Sequence, residues 1–207
     1  DGLALVEALS VRGRLVEARG QADRMGPFRA LALSRIVELA PDSTPKAELL
    51  TLAEIALDAA DLPGEDWDRR ARVYLAVARR FGRLGEKPRA KALRDRLTDL
   101  ARVDTPNLHS SDVLATIATD LADEGDVAGA LNTLDSFRRA PLAAVAPGPL
   151  ARVIVLTRAG RFADATSTAR EVVSGLGYAT LLIASRSDAR HKDPELYGEV
   201  AALACPL

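Results

Sequence analysis

Four glycines, each followed five residues later by an alanine, constrain this chain more than any other feature: Gly13/Ala18, Gly85/Ala90, Gly125/Ala130 and Gly160/Ala165. Around the third pair, Val113, Leu114, Ile117, Ala118, Leu121 and Ala122 precede the turn Glu124-Gly125-Asp126, and Val127, Ala130, Leu131, Leu134 and Phe137 follow it. Both sets have the spacing of one helical face. Residues 113–140 are therefore expected to form two amphipathic helices folded back on each other across the glycine, with their apolar faces together. The same spacing at the other three glycines makes this an internal repeat.

The composition suits helices. Aromatic residues make up only 4% of the chain, and Ala, Leu, Arg, Glu and Asp dominate. A formal charge of −1 argues against a surface built as a whole for nucleic acid or anionic membrane, since both select a basic excess. Cys205 is the only cysteine, so no intrachain disulfide and no cysteine-based metal cluster forms within one chain. No uncharged apolar run reaches the roughly 18 residues of a membrane-spanning helix. The start at Asp1 fits a trimmed chain or one released from a signal peptide, leaving cytoplasm and periplasm both open.

Read in order, the chain predicts helix pairs over residues 3–25, 27–61, 66–101, 111–140, 150–174 and 178–205, together one repeat domain spanning 1–207. Pro27 is expected at the first helical position. Thr44, with Pro45 and Glu48 behind it, is expected to cap the helix that runs to about Asp61, and Ser110 or Ser111 to cap the seventh. The acids around Trp67 (Glu65, Asp66, Asp68) and those at 120, 123, 124 and 126 read as caps and turn residues. Gly175-Leu176-Gly177 and Pro141, Pro147 and Pro149 mark breaks, and all eleven prolines fall outside expected helix interiors. A competing reading makes Val153-Ile154-Val155-Leu156 and Leu181-Leu182-Ile183 buried strands of a βαβ unit. No dinucleotide fingerprint accompanies them, and Gly160/Ala165 is in register with the other copies, which favours helices.

The glycine turns lie 72, 40 and 35 residues apart, a unit of mid-thirties length with one turn skipped near Asp42. Such a period means stacked hairpins, because a helix pair cannot bury its apolar faces alone. The motif resembles the tetratricopeptide family. The resemblance rests on the Gly125-Asp126 turn, the small Ala130, the bulky Phe137 and Pro141, with Ala78 and Ala118 seven residues before their glycines and Phe81 at the family's aromatic position. Val6 and Val153 replace that small residue, Arg94 stands where a small or aromatic one is usual, and the second and sixth pairs lack the glycine, as in a degenerate array. The expected fold is all-α: a right-handed superhelix, or α-solenoid, of about six antiparallel helix hairpins. In the family, first-helix residues line a concave groove that takes peptides or partner helices. By register, the resemblance puts Arg72, Leu75 and Arg79 of the third pair, and Asp112, Ala115 and Thr119 of the fourth, on that groove.

Charge supplies the second signal. Between residues 69 and 102, twelve Arg or Lys face only Glu86, Asp95 and Asp99, an excess of +9. Arg69, Arg72, Arg79 and Arg83 fall on one stripe opposite Val73, Val77, Phe81 and Leu84. Such a stripe suits carboxylates or phosphates held by paired guanidinium N–H groups. The alternative is a solvated face neutralised by acids of adjoining hairpins. The expected contacts are Arg72, Arg79 and Arg83, with Tyr74 and Leu75 adding apolar area and Asp112 and Thr119 on the next pair. His109 and His191 have no ligand spaced four residues away, no G-x-S-x-G elbow or phosphate loop is present, and no catalytic, cofactor or metal residues are assigned. The function expected is a non-enzymatic scaffold for a protein or peptide with acidic groups. A ligand-sensing module for a small molecule or signalling peptide is the alternative. Nucleic-acid binding ranks below both because few aromatics interleave with the basic residues.

Overall fold

The computed structural model describes residues 2–62, 66–103, 108–135 and 148–171. Among them all regular structure is helical: α1 (Gly2–Val11), α2 (Leu15–Ala22), a 3-10 turn (Gly26–Phe28), α3 (Arg29–Leu39), α4 (Lys46–Ala60), α5 (Trp67–Arg83), α6 (Lys87–Val103), α7 (Leu108–Asp123), α8 (Val127–Asp135), α9 (Gly148–Arg158) and α10 (Phe162–Glu171). Residues 153–156 lie inside α9, so the strand reading fails there. The expected sixth helix pair, the Leu181–Ile183 run, Gly175-Leu176-Gly177, Pro141, Pro147, His191 and Cys205 lie outside the described residues.

The four glycine turns share one geometry. Gly13, Gly85, Gly125 and Gly160 have φ of 73°, 79°, 85° and 71°, left-handed values that a Cβ disfavours. At each, the glycine N–H donates to the carbonyl three residues back. The next residue's N–H reaches five back: Arg14 to Leu9 at 2.9 Å, Glu86 to Phe81 at 2.8 Å, Asp126 to Leu121 at 2.9 Å and Arg161 to Leu156 at 2.9 Å. These two bonds are the Schellman closure of a helix C-terminus. The same residue then opens the next helix, because its carbonyl accepts the N–H of the repeat alanine at 3.0 Å in all four copies. Glycine and alanine are thus the two ends of one chain reversal.

Packing explains why the fifth residue is alanine. Ala18, Ala90, Ala130 and Ala165 are at most 1% exposed, as are Val6, Ala78, Ala118 and Val153 seven residues before the glycines. Small side chains at these two places let the paired helices close on each other, and valine is accommodated at the second of them. Buried hydroxyls are absorbed locally: Ser10 Oγ donates to the Val6 carbonyl at 2.6 Å and, at the equivalent position, Thr157 Oγ1 to Val153 at 2.8 Å.

The chain divides into two compact units, Asp1–Leu97 and Thr98–Leu207, with the boundary inside α6. In the first, α1 packs on α2 and α3, α3 packs on α4 and α5, and α2 and α4 rest against the first helix of the following hairpin. Its core holds Leu33, Ile36, Val37, Leu49, Val73, Tyr74, Val77 and Phe81. In the second, α7 packs on α8 and α9, α8 on α9, and α9 on α10, around Ala115, Ala118, Ala122, Ala130, Leu134, Ala151 and Val155. The order of packing is the same in both units.

Three expected helix starts are displaced. Thr44 is not the cap of α4: Pro45 is, with no side-chain capping bond, and its carbonyl accepts the N–H groups of Glu48 and Leu49 at 3.0 and 3.2 Å. The proline sits outside the helix at ψ 130°, which shifts the start one residue onward. Pro27 is the second residue of the 3-10 turn that opens at Gly26, and α3 begins only at Arg29. Helix α7 starts at Leu108, so Ser110 and Ser111 lie within its first turn and do not cap it. Asp66 precedes α5 without a side-chain cap bond, its carboxylate lying 3.7 Å from Arg69, whereas Asp126 does cap α8 through Oδ1 to the Gly129 N–H at 2.9 Å.

The α3–α4 connector, which lacks the glycine turn, is held instead by a buried arginine. Arg80 of α5 is 1% exposed; its Nη1 donates to Asp42 Oδ1 at 2.9 Å and its Nη2 to the Pro41 carbonyl at 3.3 Å. Its Nε has no hydrogen-bond partner, so the guanidinium is incompletely compensated. Asp42→Ala should therefore cost about 1–3 kcal/mol in urea unfolding, because it leaves the buried charge with one carbonyl. Arg80→Met, which removes charge and partner together at similar volume, should cost less. Gly125→Ala should lower stability by about 1–2 kcal/mol through the left-handed φ, seen as a lower Tm with unchanged helical circular dichroism.

Candidate interaction surface

The arginines of α5 reach back onto α3. Arg83 Nη2 donates to the Glu38 carbonyl at 3.1 Å, Arg79 Nη1 lies 3.6 Å from Glu38 Oε1, and Arg69 Nη1 donates to the Pro27 carbonyl at 2.8 Å. Arg69 also stands 5.3 Å over the ring of Phe28. From Glu38 the contacts continue to α1, because Glu38 Oε2 also pairs with Arg35 Nη1 and Arg35 Nε donates to Glu7 Oε1 at 2.8 Å. A ladder of alternating charge, Glu7–Arg35–Glu38–Arg79, thereby crosses α1, α3 and α5. The Arg35 pKa is raised: partial burial opposes its charge, and the two carboxylates outweigh that effect.

The same device recurs in the second unit. Arg158 stands two residues before Gly160, as Arg83 stands two before Gly85. Its Nη1 donates to the Thr119 carbonyl at 3.0 Å and lies 2.9 Å from Asp123. Arg152 Nη1 meets Asp135 at 2.8 Å. In each case an arginine of one hairpin grips the hairpin before it.

Two further arginines of the basic segment are set against acids of the preceding hairpin. Arg89 lies 3.2 Å from Glu54 of α4 and 5.6 Å from the centre of the Phe81 ring. Arg96 Nη1 lies 3.3 Å from Asp61, and its guanidinium is 5.2 Å from the centre of the Tyr74 ring. Lys46 meets Glu86 at 2.6 Å, and this hydrogen bond holds the Glu86 carboxyl below its ordinary pKa. Arg79, Arg89 and Arg96 of this segment are thus set against Glu38 of α3, Glu54 of α4 and Asp61 just beyond it.

The sequence-expected contact residues divide accordingly. Arg72 is exposed and makes no hydrogen bond or ion pair among the described residues, Arg79 is 38% exposed beside Glu38, and Arg83 is exposed and bound to the α3 backbone. Tyr74 and Leu75 are core residues, 0% and 8% exposed, and offer no surface to a partner; Ala115 likewise belongs to the core of the second unit. Helical phase explains Tyr74, which lies about 200° around α5 from Arg72; Leu75 lies only about 60° from Arg72 and is buried because α5 is covered around most of its circumference. Asp112 is exposed, and its carbonyl accepts the Thr116 hydroxyl at 2.8 Å; Thr119 is half-buried, its hydroxyl donating to the Thr116 carbonyl at 2.9 Å. The i,i+3 spacing of Arg35 and Glu38 on α3 is a local signal that sequence reasoning missed, whereas their contacts to Glu7 and Arg79 lie between helices.

Elsewhere, an open groove of about 390 Å³ on α1 and α2 is lined by Leu5, Leu9, Arg14, Glu17, Gly20, Gln21 and Arg24. Among the described residues no group of three or more His, Cys, Asp or Glu is placed to hold a metal ion, and no helix is long and apolar enough to cross a membrane. Comparison with family models, curated proteins and solved structures finds no match.

Tyr74 carries a pH prediction. Its hydroxyl donates to Asp61 Oδ1 at 2.5 Å, and burial, reinforced by that carboxylate, raises its pKa above the ordinary phenol value. The folded state then binds more protons than the unfolded one above about pH 10, so stability should be full below that pH and fall as pH rises through it. Urea unfolding at pH 8 to 11 should show this decline, and Tyr74→Phe should flatten it while lowering stability at pH 8 by about 1 kcal/mol.

Proposed function

We propose that the chain is a non-enzymatic scaffold of stacked, tetratricopeptide-like helix hairpins that binds an acidic protein or peptide segment on the face shared by α1, α3 and α5. What carries this reading is the adjacency of these three helices together with an arginine surplus along them. Glu7 and Glu38 meet Arg35 and Arg79 there, and Arg83 reaches the Glu38 backbone carbonyl. Arg72 is exposed and has no partner among the described residues, and Arg79 is set two helical turns, about 10 Å, along the same side of α5. A carboxylate on the partner would meet Arg72 first, and guanidinium forks bind such groups in paired N–H bonds.

The stacking supports the superhelical arrangement. In each unit the first helix of a hairpin packs on its own second helix and on the first helix of the next, as a solenoid requires. Identical reversals at four glycines favour one repeating module over a succession of unrelated helices. Tyr74 and Leu75 add no apolar contact area to this face, because both side chains are buried.

The combined variant Arg72→Glu/Arg79→Glu should lower affinity for a glutamate-rich synthetic peptide by about tenfold or more, measured by fluorescence anisotropy at low salt. Its helical circular dichroism should match the wild type. Undiminished binding by a folded variant rejects the assignment.

A further inference from the structure

We infer that Glu38 is a built-in occupant of the acid-binding face: its carboxylate holds the place on Arg79 that a partner's carboxylate takes, and the two exchange on binding. This rests on the reading just given and names the regulation of the same site.

Four features of Glu38 support exchange. Its Oε1 lies 3.6 Å from Arg79 Nη1, beyond the roughly 2.7–2.9 Å of a strong charge-assisted bond. Arg79 is 38% exposed against 15% for Glu38, so an incoming acid reaches the guanidinium from the solvent side. Arg35, the other partner of Glu38, is independently held by Glu7 through Nε at 2.8 Å and keeps a counter-charge when Glu38 turns away. The grip of Arg83 falls on the Glu38 carbonyl and not on its carboxylate, so the α3–α5 joint survives the movement. Glu38 thus offsets the charge of Arg79 when no partner is bound, and its longer contact is the one an incoming acid replaces. A neutral or basic segment gains nothing by displacing it, which makes the contact a filter for acidic partners.

The test is the affinity of a hexaglutamate peptide for wild type, Glu38→Gln and Glu7→Gln, by fluorescence anisotropy at low salt. Exchange predicts that Glu38→Gln binds about three- to tenfold tighter than wild type, because one internal competitor for Arg79 is gone. Glu7→Gln makes the same change in net charge on the same ladder without touching Arg79, and should bind within about twofold of wild type. Equal gains in the two variants would reduce the effect to net charge and overturn the inference, and so would unchanged or weaker binding by Glu38→Gln. In both of those cases wild-type binding leaves the scaffold reading standing. Absence of binding by all three proteins overturns that reading and the inference with it. Should Glu38→Gln melt below the assay temperature, the carboxyl carbon shift of Glu38 in wild type decides instead. A change on titration with the peptide supports exchange, and an unchanged shift at saturation overturns it.

Discussion

The left-handed glycine turn is the constraint from which the rest of this structure follows. A helix ending in a Schellman closure has its last carbonyls satisfied and its chain direction reversed within two residues. Here the residue after the glycine also opens the next helix, so helix end, reversal and helix start are fixed by three backbone hydrogen bonds. Such tight coupling leaves little room between the two helices at their junction, and the alanine five residues on is buried in all four copies. The apolar faces brought together are mostly Ala, Val and Leu, which suits closely approaching helices and accounts for the low aromatic content.

Given hairpins of this kind, what remains is to join them, and arginine does so. Arg83 and Arg158, at the same place in their repeats, each reach a backbone carbonyl on the first helix of the preceding hairpin. Arg35 and Arg152 add carboxylate contacts across the same kind of joint. Each exposed pair is worth little alone, and their effect lies in fixing which turn of one helix faces which turn of the next. Arg80 is a different case. It is buried where α9 carries Val155, and it organises a connector that has no glycine to turn it.

How far the fold was legible in sequence follows from the range of each interaction. Glycine turns, repeat alanines and the apolar stripes of α5 and α7 act within about a dozen residues, and all were readable as local pattern. The start of α4 differs from the expected one because Thr44 mimics the capping pattern without making the bond, and α7 begins at Leu108, ahead of the serines that resemble a cap. The surface was legible in part. The arginine stripe was visible, but its neutralisation by Glu38 depends on how two hairpins rotate against each other, which no window on one helix contains. Tyr74 and Leu75 were mistaken for surface because α5 is buried around most of its circumference, broader than a single apolar stripe implies.

One consequence of the arginine joints concerns tolerance to change. The oxygens that Arg83 and Arg158 grip at positions 38 and 119 belong to the main chain, and every amino acid supplies one. Drift of the side chains at those two places leaves the joint its acceptor, so the burden of fidelity falls on the donor alone. A hairpin carrying arginine two residues ahead of its glycine is in this respect a portable coupling, able to seat itself on helices of differing sequence.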